Sequence, residues 1–274
     1  MRSLSMAETD NDLISRTIRF LNQQKEIYGD FSVSSDVEPV IEVESSEEIV
    51  GEVKQVPEET VQEPVDEYEA ETVVEEVELS DEEKIAECST LDELKSLCEV
   101  SEVLKTDLEG TNLVFGVGNP NADLMIIGEA PGFNEDKQGE PFVGEAGQLL
   151  DKIMGAINFK REDIYIANIL KHRPPENRDP KVEERANSLP YLLKQIELVD
   201  PKLILCVGRV SGTTLLGKDD SLKNMRSIFH EFKGRELMVT YHPAALLRNQ
   251  QWKRPTWEDV QKLRKRYDEL GGKP

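Results

Sequence analysis

A chain of 274 residues has room for one sizeable domain and additional material, and a net charge of -22 at first argues against a polyanionic partner. The charge is unevenly placed. Residues 1–90 carry 26 Asp/Glu against 6 Lys/Arg, a balance of -20, while residues 91–274 carry 29 against 27, so nucleic acid remains open as a ligand of the second part. Three cysteines without paired spacing (Cys88, Cys98, Cys206) argue against a disulfide framework or a CxxC metal site. No apolar run reaches the ~18 residues of a membrane span, and no signal-peptide core opens the chain, so a reducing cytoplasm is the expected location.

Leu13, Ile14, Thr17, Ile18 and Leu21 fall at helical spacing and predict a short amphipathic helix over about 10–28, with Asp10 or Asn11 as its cap. It is read either as a tethered element that binds a partner or as a stray amphipathic turn, because such helices are marginal alone. From Gly29 to about Ser80 the pattern dissolves into Glu, Val and Pro repeats that cannot bury enough apolar area to offset ordering entropy. The first 81 residues are therefore expected to form a disordered acidic extension, and the folded domain to span 82–274.

"DEEKIAECSTLDELKSLCEVSEVL" reads as one or two amphipathic helices. Four short apolar runs follow, at 124–129, 164–170, 203–208 and 237–242, with helical patterns at 145–158, 181–199, about 209–217 and 256–270 between and after them. Strands apolar throughout that alternate with helices predict an α/β fold: a four-stranded parallel sheet in the middle of three α/β/α layers. Ligands of such sheets sit beyond the carboxyl ends of the strands. Each run here ends in residues unusual for a strand: Gly128-Glu129, Asn168 followed by Lys171, Gly208-Arg209, and His242-Pro243.

Gly128, Pro131 and Gly132 predict a rigid turn that holds Glu129 at the sheet mouth. GxGxxG and GxxxxGK[ST] are both absent, and Glu129, Glu135, Asp136 and Glu140 would repel phosphate, so a nucleotide cradle is not expected. A carboxylate that orients water or faces a developing cation fits better; the plainer alternative is a Gly/Pro turn with solvated acids. His242 sits where a strand meets a proline, so a stiff backbone holds its ring. Leu246, Leu247 and Arg248 follow, and for one of the two leucines simple core packing is expected.

"GEAPGFNEDKQGEPFVGEAGQLLDKIM", "IYIANILKHRPPENRDP", "PYLLKQIELVDPKLILCVG" and "YHPAALLR" resemble, in order and at natural spacing, the successive motifs of the family 4 uracil-DNA glycosylases. The resemblance covers about 112–262 and leaves residues 1–90 unexplained. It implies excision of uracil from DNA as part of base excision repair. Phe142 matches the family's stacking aromatic and Asn168 the amide that reads uracil, with Ala130 beside them on the substrate side. His242 matches the histidine that hydrogen-bonds O2, and Glu129 the carboxylate near the sugar, with Glu135 a second candidate for that work. Leu246, Leu247 and Arg248 match the DNA-facing loop, and Lys171, Arg173 and Arg178 read as phosphate contacts.

One departure stands out. The family holds a [4Fe–4S] cluster on four cysteines, and here the third and fourth positions are His172 and Ser188. The first pair falls at Ser101 and Leu104, or, shifted by three, at Cys98 and Ser101. Such clusters need about four soft ligands, so no cluster and no other metal is expected. The expected partner is uracil-containing DNA, single- or double-stranded, met by a monomer with no membrane contact. A repair or replication protein is the partner in view for the N-terminal helix and acidic tail. The alternatives are a binding module that has lost catalysis and a repair scaffold.

Overall fold

A computed structural model of the protein describes residues 79–273; the helix expected over 10–28 and the acidic segment up to residue 78 lie outside the described residues. Two helices open the described part, α1 (Asp81–Glu87) and α2 (Leu91–Val100). The sequence divides them through two S/T-x-x-E caps. Ser80 and Glu83 bond each other's backbone N–H groups at the start of α1, and Thr90 and Glu93 do the same for α2, so a new helix begins where one would otherwise continue.

The sheet has six strands: β1 (Val117–Gly118), β2 (Leu124–Gly128), β3 (Tyr165–Asn168), β4 (Leu203–Val207), β5 (Phe229–Phe232) and β6 (Arg235–Thr240), in the order β1-β3-β2-β4-β6-β5. The expected four-stranded parallel sheet is its centre, β3-β2-β4-β6. Two antiparallel edge strands extend it, β1 on β3 and β5 on β6. β1 is only two residues long, and β5 reads "FHEF", neither of them an apolar run. The signal for the β5–β6 hairpin is its two-residue turn, Lys233-Gly234, both at positive φ (48° and 78°) as a tight hairpin of this kind requires.

Further helices lie between and after the strands: α3 (Phe133–Gln138), α4 (Glu145–Ala156), α5 (Val182–Val199), α6 (Arg209–Leu216), α7 (Leu222–Met225), α8 (Pro243–Arg248) and α9 (Lys253–Glu269). Alternation along the strands divides the core into two layers. Met125, Ile127, Ala167, Ile204, Cys206 and Val239 face Leu192, Ile196 and Val199 of α5 and Leu215 of α6. Leu124, Ile126, Ile166, Leu205 and Met238 face Leu150 and Met154 of α4 and Val260, Leu263 and Tyr267 of α9. Each fully buried aliphatic side chain contributes about 1.5–3 kcal/mol, so the doubly covered sheet is the rigid base from which its strand ends project. A third cluster (Ile85, Leu94, Cys98, Leu104, Phe115, Tyr191) docks α1 and α2 on α5.

Candidate active site

The carboxyl ends of β2, β3, β4 and β6 meet in one place. Their pairing runs on past the strands: Ile169 and Leu170 donate N–H to the carbonyls of Gly128 and Glu129 (3.1 and 3.0 Å), and Gly208 donates to Thr240 (2.9 Å). Below the end of β6, the fully buried Asp259 accepts from Thr240 Oγ1 at 2.7 Å and pairs with Arg226 at 2.9 Å, which fixes the point where the chain departs toward His242.

Asn168 is buried (2 % exposed), yet its Oδ1 has no hydrogen-bond partner. A buried acceptor without a partner costs about 1–3 kcal/mol, so it marks a place where a ligand would supply the bond. Gly128 is required beside it. A Cβ built on that residue would collide with Asn168 Oδ1 and would lie 2.6 Å from Phe142 Cζ, so amide and aromatic ring converge over one missing side chain.

Phe142 is buried and stands at φ 55°, a left-handed conformation that a bulky residue adopts only under constraint. Three neighbours hold it. Glu135 Oε1 accepts from the N–H groups of Val143 and Gly144 (2.9 and 2.8 Å), which also caps α4, whose own Gly144 offers no side chain. Arg161 donates to the carbonyls of Pro141 and Phe142 and pairs with Asp151 at 3.2 Å. Gly147 allows the backbone of Phe142 to lie directly against α4, since a Cβ there would stand 2.8 Å from Phe142 Cα.

The Phe142 ring stacks near the imidazole of His242, 5.5 Å between centroids and 29° between planes. His242 Nδ1 accepts the N–H of Ala244 (3.1 Å), which leaves the ring proton on Nε2 as a donor. Burial first, and the charge of Arg248 second, push its pKa down to about 4, so the ring is neutral at physiological pH. Glu129 follows directly on Gly128 at the end of β2 and is half-buried. Burial pushes its carboxyl up to about 7, with Asp179 adding in the same direction and Arg209 and Arg185 opposing.

The expected DNA contacts divide. Leu247 and Arg248 are exposed on α8, and Arg173 is half-buried with its guanidinium 5.2 Å from the ring centroid of the exposed Phe133. Lys171 and Leu246 are corrected: they are 0 % and 1 % exposed and have no surface to offer DNA. Lys171 turns inward onto neutral acceptors, and Leu246 is the leucine of the pair that packs in the core. Arg178 is half-buried, and its guanidinium pairs with Glu184 (2.6 Å) and Asp107 (3.0 Å).

At the positions read as cluster ligands, Ser101 Oγ bonds the Tyr191 hydroxyl (2.9 Å), Leu104 is buried, His172 Nδ1 bonds Thr111 Oγ1 (3.0 Å), and Ser188 Oγ is buried without a partner. Cys98 is buried nearby, and burial pushes its thiol up to about 11, far from the thiolate a metal binds. These residues do not fit a cluster that needs about four soft ligands. Among the described residues, no group of three or more His, Cys, Asp or Glu could hold a metal, and no helix is long and apolar enough to cross a membrane.

Sequence reasoning passed over Arg161, Gly147 and Gln195. Gly147 and Gln195 had a signal: a glycine just inside a helix suggests close approach, and Gln195 interrupts the apolar stripe Leu192, Ile196, Val199. Arg161 had none, because the partners through which it holds Phe142 are main-chain carbonyls some twenty residues away.

A parallel α/β sheet whose strand ends present a partnerless buried amide, a constrained aromatic ring and a neutral histidine is a site for a flat, hydrogen-bonding ring. Residues 115–263 match the uracil DNA glycosylase superfamily. The chain is 40% identical over 175 residues to a type-4 uracil-DNA glycosylase of Archaeoglobus fulgidus, covering 60% of this chain and 88% of that one. It is 42% identical over 163 residues to one of Sulfurisphaera tokodaii (56% and 74% covered) and 39% identical over 161 residues to one of Thermotoga maritima (57% and 84%). The chain belongs to the uracil-DNA glycosylase superfamily.

Proposed function

We propose that the protein is a monofunctional uracil-DNA glycosylase. It takes a uracil nucleotide turned out of DNA and hydrolyses the bond between N1 of the base and C1′ of the sugar, leaving free uracil and an abasic site. The observation that carries the reading is the buried Asn168 amide, with Oδ1 unpartnered, beside the Phe142 ring. Uracil presents an N3–H donor and an O4 acceptor, which Oδ1 and Nδ2 of one amide complement; cytosine presents the reverse pattern. Phe142 supplies the face on which the base stacks, with Ala130, two residues past the end of β2, on the substrate side.

As the C1′–N1 bond breaks, its electron pair moves onto the uracil ring and charge gathers at O2, where His242 Nε2–H donates a hydrogen bond. Water adds at C1′ and passes its proton to Glu129, whose carboxylate also faces the positive sugar. Uracil takes up a proton from solvent. Glu135 serves this chemistry through Phe142, whose loop it clamps. Leu247 fills the place the base leaves, and Arg248 and Arg173 hold the backbone. No iron–sulfur cluster enters the reading, because at most one of the four positions where one would be held, Cys98 in the shifted register, offers a cysteine. In the same reading, 82–274 is the catalytic domain of a monomer working in the cytoplasm, close to the nucleoid when it acts. Residues 1–81 recruit a repair or replication protein.

The test is release of uracil from oligonucleotides carrying one deoxyuridine, in a single strand and opposite guanine, with iron and visible absorbance measured on the same preparation. Release by the wild type, and its loss in Asn168→Asp, which lacks the donor to O4, is the expected outcome. No release by the wild type, or equal release by the variant, would overturn the reading. A stoichiometric iron chromophore would overturn its cluster-free part.

A further inference from the structure

Lys171 lies three residues beyond the base-reading amide and is fully buried. Its ammonium donates to Gln195 Oε1 (2.6 Å) and to the main-chain carbonyls of Asn168 (3.1 Å) and Phe115 (3.3 Å). None of these acceptors is a carboxylate. Gln195, itself fully buried, is fixed in turn: its Nε2 donates to the Phe115 carbonyl (3.0 Å) and to the Tyr165 hydroxyl (2.9 Å). Burying an ammonium without a counter-ion costs several kcal/mol, whereas an unbranched apolar side chain would fill the same space without that cost. Packing alone therefore gives no reason for a lysine here.

The network closes on the residue that faces the pocket. The Asn168 amide has no protein partner at Oδ1, so no hydrogen bond to that oxygen within the pocket sets its orientation. Its main chain must do so from behind, and the Asn168 carbonyl is one of the three groups the ammonium grips. Burial pushes the lysine down to about 8, which still leaves it charged at neutral pH.

We propose that Lys171 is a positioning residue for uracil recognition: braced by Gln195, its ammonium holds the Asn168 main chain so that the side-chain amide presents an acceptor to N3–H of the base. This rests on the glycosylase reading above and assigns specificity to a residue that does not touch substrate.

The experiment uses the full chain and two single-stranded oligonucleotides, one with deoxyuridine and one with N3-methyldeoxyuridine, in which the donor is blocked. A site that hydrogen-bonds its substrate rejects an analogue lacking the group by a large factor. For Lys171→Met, kcat/KM on deoxyuridine should fall by about tenfold or more, and the preference for deoxyuridine over the methylated base should also fall by about tenfold, toward the value for Asn168→Ala. A slower enzyme with an unchanged preference would mean that Lys171 only supports the fold, and would overturn the proposal. Should Lys171→Met fail to fold, Gln195→Met keeps the ammonium and removes its brace; a preference reduced by about threefold is expected there, and an unchanged one sinks the idea. A wild type inactive on deoxyuridine would bring down the glycosylase reading and this one together, whereas an active wild type with unchanged preferences in both variants removes the positioning role alone.

Discussion

The pocket at the strand ends and the corner where α1 and α2 dock on α5 treat buried polar atoms in opposite ways. In the pocket Asn168 Oδ1 has no partner, and His242 uses Nδ1 within its own turn while Nε2 is left to donate elsewhere. In the corner Ser101 is bonded to Tyr191, His172 to Thr111, and Lys171 to three acceptors, with Ser188 as the exception. Polar groups occur in both regions, so their presence says little. An atom kept buried and unpartnered in a stable sheet marks the place where something from outside completes the bond.

Three substitutions would break or sharpen that contrast. The largest effect is expected for His242→Ala, which removes the donor proposed for O2: kcat should fall by about 10²–10³ with a smaller change in KM. Wild-type rates in this variant would remove the histidine from the chemistry. Glu129→Gln comes next, through the pH profile. In the proposed mechanism the carboxylate is the working form, and burial raises its pKa to about 7, so wild-type kcat/KM should rise as pH passes upward through that value. In Glu129→Gln the rate should be low and that limb flat; a limb that survives belongs to another group. The smallest effect is expected at Ser188→Ala in the corner, where removing an unpartnered hydroxyl should leave uracil release unchanged and stability unchanged or raised by up to about 1 kcal/mol in denaturant unfolding. A clear loss of stability would reveal a partner for that hydroxyl and make the corner fully satisfied.

What the sequence could reveal depended on how local each signal was. The four parallel strands were legible because strands covered on both faces are apolar throughout, and the mouth residues followed from where those strands end. The edge strands β1 and β5 escaped because pairing to one neighbour requires no such pattern. Lys171 was misread for a similar reason. A lysine between an apolar strand and two prolines has the look of a surface cation, and the side chain that receives it, Gln195, stands 24 residues further on in α5. Leu246 and Leu247 are adjacent and identical in type, so only the turn of α8 separates core from surface. Arg161 lay wholly out of reach, since the two partners that tie it to the Phe142 loop are backbone carbonyls, which every sequence has.

The left-handed backbone of Phe142, gripped from three sides, has a consequence for encounter with DNA. A wall built this way exists before any base arrives, so its ordering entropy is lost during folding and not at binding. In the proposed reaction the discriminating step then shifts toward the nucleic acid, to how often a uracil leaves its stack unaided. A uracil in a single strand or opposite guanine opens at less cost than one paired with adenine. Substrates would be sorted by their opening frequency before any side chain has read them.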